Sequence, residues 1–369
     1  MKKQIKLTSF QLSIFIIQTQ IGVGVLGLPF NVFSVSKGDA WMSVLVAGAL
    51  VQCIITILWL LGRRFPSKSL FDYSRVILGK FASTLITFGY LIYGVLVVII
   101  ILMYATAIVK SWSLLLTPTW AVMLMLIIPG FYLGKEKVME ISNVYVVVTI
   151  LIVLLVVVST IVLFIYPVDW RYLFPMGTSG GLTILKGAKE AYFSMLGFEL
   201  LLILYPYFQH NGSTAIYKAA TAANLSVTLV YTFLTIVSTV TFSPEELKIV
   251  PQPVLYYVKS LYLQVVERVD LLFASFWVVN VITSLTSYLF LCTECCSHLF
   301  KKFKKLKRGY CTVFWGGFAY CIALIPGKLS EMDIVNKWVL ALSYIFVLII
   351  PITLLGVSLI FKKKESESA

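Results

Sequence analysis

Long apolar runs alternate with short polar or basic segments along almost the whole chain. A helix needs about 20 mainly apolar residues to cross a hydrocarbon layer of roughly 30 Å, so each long run predicts a membrane span. The predicted spans are residues 10–33, 40–62, 82–109, 118–133, 143–166, 187–208, 217–242, 269–296, 310–326 and 336–361. The fifth run is rich in Val and Ile, yet we assign it to a helix because an open strand cannot satisfy its backbone in lipid.

This pattern predicts an all-α membrane protein of about ten transmembrane helices. Residues 1–9 form the expected N-terminal segment, residues 10–361 a single transmembrane domain, and residues 362–369 a solvated tail. The basic start of the chain, followed by an apolar run, resembles a secretory signal. We assign this run to the first span instead, because polar residues interrupt it at 18–20 and its apolar character continues to Phe33.

Composition supports lipid as the main solvent of the chain. Apolar residues make up 60% and charged residues only 12% of the sequence, whereas a soluble domain carries roughly 25% charged residues. The net charge of +14 would indicate nucleic acid binding in a soluble protein. Here the basic residues lie in loops between spans, so we expect contact with membrane lipid and no nucleic acid.

The distribution of basic residues predicts the orientation. With ten spans, both termini and four loops share one side, and 20 of the 30 Lys and Arg residues lie there. Basic residues are retained on the cytoplasmic side of membranes, which predicts that both termini are cytoplasmic. Six of these residues fall between Lys301 and Arg308, a segment that is a topology anchor or, alternatively, a docking surface.

The first span is interrupted by poor helix formers. Gly22, Gly24, Gly27 and Pro29 fall within eight residues, and Pro29 lacks a backbone donor. The spacing Gly-x-Gly-x-x-Gly also occurs in dinucleotide sites, but those need a preceding strand and a βαβ unit. Two interpretations remain: a break in the helix, or small residues that allow close helix packing.

The sixth span carries a glycine, Gly197, and a carboxylate, Glu199, within an apolar run. A charged residue in the membrane usually faces a cavity or a partner and has a function. The alternative is a structural hydrogen bond that locks two helices together. If the chain divides into five spans plus five, at about 10–167 and 187–361, Gly24 and Gly197 occupy equivalent places in two inverted repeats.

Interrupted spans at matching positions of two repeats indicate a binding site at the middle of the membrane. Unwound turns free backbone groups, which can bind the carboxylate and the ammonium group of a zwitterion such as an amino acid. Helix eight adds a polar stripe and helix three adds aromatic and apolar neighbours; both sets could instead serve helix packing alone. The predicted binding residues are Gln18, Gly22, Gly24, Val25, Gly27, Tyr93, Val97, Leu196, Gly197, Phe198, Glu199, Asn280, Ser284 and Tyr288.

The sequence gives little evidence for a catalytic site or a metal site. Cys292, Cys295, Cys296 and His298 cluster at the end of a span, but a helical Cys-x-x-Cys without a second ligand pair is weak evidence for zinc. The two histidines, His210 and His298, lie at span ends, and no Ser–His–acid set or nucleotide loop is recognisable. We expect no enzyme activity, no metal and no cofactor.

The two interrupted spans carry a family resemblance. Gly22-Val-Gly24-Val-Leu-Gly27-Leu-Pro29 together with Phe193-Ser-Met-Leu-Gly197-Phe198-Glu199 resembles the paired first- and sixth-span motifs of the amino acid–polyamine–organocation superfamily. Within it, the length, the ten spans and the short basic N-terminus resemble the spore-germination receptor B subunits.

The resemblance implies a five-plus-five inverted-repeat fold with helices one and six broken, in the inner membrane of an endospore. It also implies a receptor that responds to amino acids or related nutrients together with an A subunit and a C lipoprotein. One feature departs from some proton-coupled carriers of the superfamily, which place a lysine in the fifth span. Residues 143–166 contain no Lys or Arg, so the coupling ion, if any, is unidentified.

Two functions therefore remain open. A nutrient receptor subunit would bind its ligand at the broken helices and pass a conformational change to partner subunits. An amino-acid permease would use the same site with access alternating between the two sides. A purely structural scaffold would leave Glu199 and both breaks without a reason.

Overall fold

The computed structural model describes residues 6–261, 268–300, 308–325 and 329–365. Within these ranges the chain is helical and contains no β-strand. In chain order the helices are α1 (Ser9–Gln20), α2 (Leu28–Ser36), α3 (Ala40–Arg64), α4 (Leu70–Leu78), α5 (Lys80–Trp112), α6 (Thr119–Gly134), α7 (Val138–Ile165), α8 (Gly181–Ser194), α9 (Leu201–Phe208), α10 (Ser213–Thr241), α11 (Pro244–Leu247), α12 (Pro253–Lys259), α13 (Val269–Leu299), α14 (Arg308–Ala323), α15 (Leu329–Ser343) and α16 (Ile350–Ile360).

These helices are consistent with ten membrane crossings. By length and composition, six helical segments of the described chain can each cross a membrane, and α8 with α9 adds a seventh across a bend of 59°. One of the six, Leu28–Arg64, is divided at Lys37, whose φ of +51° separates α2 from α3. The shorter α6 has 16 residues and contains Pro129.

Several spans begin earlier than the apolar pattern predicts. Helix α7 begins at Val138 instead of residue 143, and α8 begins at Gly181 instead of residue 187. The added turns carry charged residues such as Glu140 and Lys186. Long basic side chains at helix ends can reach the membrane surface, so a helix continues past the limit of its apolar run.

The last span contains a local change of helical pitch. Residues Tyr344–Ile349 form a π-helix between α15 and α16, and Pro351 follows in the first turn of α16. Because proline has no N–H, a carbonyl one turn earlier loses its usual donor. The hydroxyl of Tyr90 on α5 donates to the carbonyl of Phe346 at 2.5 Å.

The segment after α10 packs into the helical domain. Residues 253–269 have an amphipathic sequence, a pattern typical of helices that lie along a membrane surface. Helix α12 instead buries Val254, Leu255, Tyr257 and Val258 and contacts α7, α10 and α13. Residues 262–267 of that stretch lie outside the described residues, as do residues 301–307 of the basic segment.

The beginning of the C-terminal tail is bound to the region between α3 and α5. The sequence predicted a solvated end, but the Lys363 ammonium donates to the carbonyls of Val76 and Ile77 at 3.1 and 2.8 Å. The Glu365 carboxylate accepts the backbone N–H of Ser67 at 3.0 Å. The tail up to Glu365 therefore joins the last span to the region between α3 and α5.

The two interrupted spans lie at the centre of the helical domain. Helix α1 contacts α7, α10 and α13, while α8 contacts α2 and α3. The Tyr231 hydroxyl of α10 lies 2.8 Å from the carbonyl of Gln20 and 3.1 Å from that of Ser194. One buried hydroxyl thus bridges the ends of α1 and α8, where both spans stop being helical.

Candidate functional site

The first break separates α1 from α2. Regular α-helix ends at Gln20, a short 3-10 turn covers Val23–Val25, and α2 begins at Leu28 with Pro29 in its first turn. Gly24 allows a close approach to the other broken span. A Cβ at Gly24 would lie 2.6 Å from the Ser194 hydroxyl oxygen, closer than real Cβ atoms come to their neighbours.

The sixth-span break requires glycine for its backbone conformation. Gly197 has a φ of +129°, a region that side chains other than glycine rarely occupy. A Cβ there would also lie 2.8 Å from the Thr19 methyl group and 3.0 Å from the backbone nitrogen of Gln20. The two breaks therefore pack directly against each other, and Gly197 makes that contact possible.

Glu199 connects the sixth-span break to two other spans. One carboxylate oxygen accepts the hydroxyls of Tyr93 on α5 and Tyr288 on α13, at 2.9 and 2.8 Å. The other oxygen accepts the backbone N–H of Gly197 at 2.7 Å. The side chains of Glu199, Tyr93 and Tyr288 are all buried. Glu199 therefore has the partners that a carboxylate inside a membrane requires, and through them it fixes the position of both tyrosines.

A cavity of about 40 Å³ lies between the two breaks. A water molecule needs roughly 10–15 Å³ of such space, so this volume corresponds to about three waters. The cavity is lined by Thr19, Gln20, Gly22, Val23, Gly24, Val97, Ile100, Ile101, Phe193, Ser194, Leu196, Ser284, Tyr288 and Val339. No charged side chain is among them; Glu199 lies behind Tyr288.

Six of the residues predicted from sequence line this cavity: Gly22, Gly24, Val97, Leu196, Ser284 and Tyr288. Tyr93, Gly197 and Glu199 form the hydrogen-bonded group next to it. The other five, Gln18, Val25, Gly27, Phe198 and Asn280, are not among the lining residues.

The five other residues have different surroundings. The Gln18 amide donates to the Thr149 hydroxyl at 3.1 Å and accepts from the Thr283 hydroxyl at 2.7 Å. Asn280 donates to the carbonyl of Phe276 within its own helix. A Cβ at Gly27 would meet the Pro251 carbonyl at 3.3 Å. The side chains of Val25 and Phe198 are buried in the core.

Sequence reasoning missed several lining residues. Ile100 and Ile101 follow Val97 by three and four positions, so helical periodicity could have identified them. Gln20 and Ser194 are the last helical residues before the breaks, a position that also could have been recognised. Val339, on α15, gave no sequence signal because its place depends on how the last span packs.

The polar stripe of α13 faces the first span. The Ser284 hydroxyl donates to the carbonyl of Thr19 at 2.8 Å, and the Thr19 and Ser287 hydroxyl oxygens lie 2.8 Å apart. The Tyr145 hydroxyl of α7 lies 2.8 Å from the Ser287 oxygen. These bonds join three spans beside the cavity and pack α13 against α1.

The fold defines the class of membrane protein to which the chain belongs. The structure resembles that of MhsT in complex with L-phenylalanine, with a TM-score of 0.68 and 15% sequence identity, over 96% of this chain and 89% of MhsT. It also resembles the substrate-bound outward-open state of a Na⁺-coupled sialic acid symporter, with a TM-score of 0.66 and 10% identity, over 93% and 79% of the two chains. The protein thus has the transporter fold built from a five-plus-five inverted repeat with helices one and six broken.

Within that class, the chain belongs to the family of spore germination proteins, whose family model matches residues 6–332. The spore germination protein GerQB of Bacillus cereus is 26% identical over 346 residues, which cover 93% of this chain and 92% of GerQB. The predicted resemblance to spore-germination B subunits is confirmed. The protein is a multi-pass membrane protein of this family.

Proposed function

We propose that this protein is a nutrient receptor subunit that binds a small amino acid between the two broken helices and triggers spore germination. The proposed partners are a germination receptor A subunit and a C lipoprotein. The proposed location is the inner spore membrane, with both termini in the cytoplasm. Membership of the germination family supports this role, and the excess of basic residues on one side supports the orientation.

The observation that carries the proposal is the cavity between the breaks. Helices α5 and α15 contribute apolar side chains to it, namely Val97, Ile100, Ile101 and Val339. The ends of α1 and α8 and the α13 stripe contribute the polar groups. A net-neutral ligand with a short apolar side chain fits a wall without charged residues, because an unpaired charge would be costly there. A small zwitterionic amino acid has this chemistry.

The cavity volume connects binding to a change of conformation. Amino acids with side chains larger than a methyl group exceed the volume of about three waters, so the walls must move apart to admit them. A ligand that binds the wider state better than the compact one shifts the population toward the wider state. Tyr288 lines the cavity and is bonded to Glu199, which is bonded in turn to Tyr93 on α5. Widening at this point would therefore move α5, α13 and the sixth-span break together.

An amino-acid permease is the second candidate, and the transporter fold favours it. The contact between α1 and α13 bears only on coupling to sodium. A sodium site built from α13 hydroxyls and first-span carbonyls would use Ser284 and the Thr19 carbonyl, but these two groups are hydrogen-bonded to each other at 2.8 Å. A permease that uses sodium at this position would have to share or break this bond, whereas a receptor would not.

Uptake into sealed proteoliposomes separates the two candidates. Purified protein is reconstituted and tested with a panel of radiolabelled amino acids, with and without proton and sodium gradients. The receptor proposal predicts saturable binding whose amount does not increase with either gradient. Gradient-driven accumulation inside the vesicles would identify a permease and contradict the receptor proposal.

A further inference from the structure

Gln20 is a buried residue of the cavity wall that the sequence analysis did not select. It is the last residue of α1, its side chain is 2% exposed, and it lines the cavity between the breaks. Its side-chain oxygen, Oε1, is buried and has no hydrogen-bond partner among the described residues. Of the residues that line the cavity in the described structure, Gln20 alone has such an unpaired buried side-chain acceptor.

The orientation of the Gln20 amide follows from its other partner. The Nε2 atom lies 2.7 Å from the carbonyl of Met195. Because a carbonyl can only accept a hydrogen bond, the amide group that faces it must be the NH₂ group. The oxygen must therefore occupy the other position, and turning the amide over would set two acceptors against each other.

An unpaired buried acceptor beside a cavity needs a partner, because its oxygen lowers stability unless a water or a ligand donates to it. Three of the four hydroxyls among the lining residues donate elsewhere: Thr19 to the carbonyl of Phe15, Ser284 to that of Thr19, and Tyr288 to Glu199. Apart from Ser194 and water, a group that pairs with Gln20 must therefore bring its own hydrogen. Ligand ammonium groups and hydroxyls do so, and an ammonium donates the stronger bond because it is charged.

We propose that Gln20 Oε1 is the acceptor for the primary ammonium group of the ligand, and that Gln20 selects ligands with an amine over otherwise identical ligands without one. This assignment rests on the proposed function, because it assumes that the ligand binds in this cavity. It narrows the ligand class to small primary amines with a short apolar side chain. The apolar side chain would contact the α5 and α15 residues of the wall.

The test compares an amino acid with its desamino analogue. Tritiated L-amino acids are screened against the purified full chain in nanodiscs, and competition then measures the affinity of the strongest binder and of the acid that lacks its amine (propionate for alanine). A hydrogen bond to a charged group corresponds to about a ten- to hundredfold effect on affinity. The wild type should prefer the amine by at least about tenfold, and Gln20→Leu should lose most of that preference.

The ratio of the two affinities separates ligand contact from a structural role. Gln20→Leu also removes the bond to Met195, but distortion of the cavity would weaken both ligands alike and leave their ratio unchanged. Gln52→Leu is the matched control. The Gln52 amide donates to the Thr221 hydroxyl at 2.9 Å, and Gln52 does not line the cavity. This control should keep the wild-type ratio.

Cavity-filling variants distinguish failure of this inference from failure of the proposed function. Leu196→Trp, or Val97→Phe if the first variant is not monodisperse, should abolish binding of the strongest amino acid. Suppose that cavity filling abolishes binding. If Gln20→Leu then keeps the wild-type ratio of the two affinities, or if the wild type does not prefer the amine, the assignment of Gln20 is wrong and the proposed function stands. If no amino acid binds, or if binding survives cavity filling, the proposed function itself is wrong.

Discussion

Replacing Glu199 with Gln tests the hydrogen-bonded group that supports the cavity. The carboxylate accepts three donors, one oxygen binding Tyr93 and Tyr288 and the other binding the N–H of Gly197. A Gln side chain has a single acceptor oxygen. If that oxygen keeps both tyrosines, the new NH₂ group faces the Gly197 N–H, donor against donor, and this buried N–H loses its partner.

The expected cost follows from those three bonds. Leaving one buried donor unsatisfied costs about 1–3 kcal/mol, and hydrogen bonds to a neutral acceptor are weaker than those to a carboxylate by about 1 kcal/mol each. We therefore expect Glu199→Gln to lower the free energy of unfolding by about 2–5 kcal/mol. Since Tyr288 lines the cavity, the weaker bond that holds it should also weaken ligand binding by at least about tenfold, equivalent to about 1.4 kcal/mol.

Unfolding in nanodiscs and equilibrium binding measure the two effects. Glu136→Gln is the matched control, because Glu136 lies on the surface, where its ion pair with Lys135 spans 3.9 Å; such pairs contribute about 0–1 kcal/mol. If Glu199→Gln behaved like this control in both assays, the three bonds would not have the role that we assign to them.

Three further changes test other contacts, each by thermal unfolding or proteolysis. Gly197→Ala should destabilise the protein by at least about 1–3 kcal/mol through its positive φ alone, whereas Gly317→Ala, where a Cβ meets open space, should be neutral or stabilising; equal effects would contradict the required conformation of Gly197. Tyr231→Phe should cost about 1 kcal/mol because two buried carbonyls lose a shared donor, and an unchanged unfolding temperature would show that this bridge is unimportant. Glu365→Ala should change stability by less than about 1 kcal/mol but speed protease cleavage of the tail, and an unchanged cleavage rate would show that Glu365 does not hold the tail.

The sequence predicted the architecture well because lipid constrains it strongly. Apolar runs separated by basic loops leave little choice but spanning helices, since backbone groups in lipid must be satisfied within each helix. The positions of the breaks were also predictable, because Gly24 and Gly197 are poor helix formers inside apolar spans. The helix starts were less predictable, since charged residues extend α7 and α8 beyond their apolar runs.

The detailed lining of the cavity was harder to predict. Glu199 could be recognised as a buried carboxylate, but its pairing with Tyr93 and Tyr288 depends on the distances between three spans. Gln18 was selected for its place near the first break, yet Gln20, two positions later, lines the cavity. Positions two apart on a helix face different directions, so the correct residue could be chosen only once the rotation of α1 was known.

Equilibrium binding to the wild type and to Leu196→Trp is the most direct test of the central claim that the ligand lies between the two broken helices. The purified proteins are titrated in nanodiscs with the amino acid that binds the wild type most tightly, after both have been shown to be monodisperse. We predict saturable binding to the wild type and none to the variant, whose larger side chain fills the cavity. Equal affinity for the two proteins would place the ligand elsewhere and contradict this account.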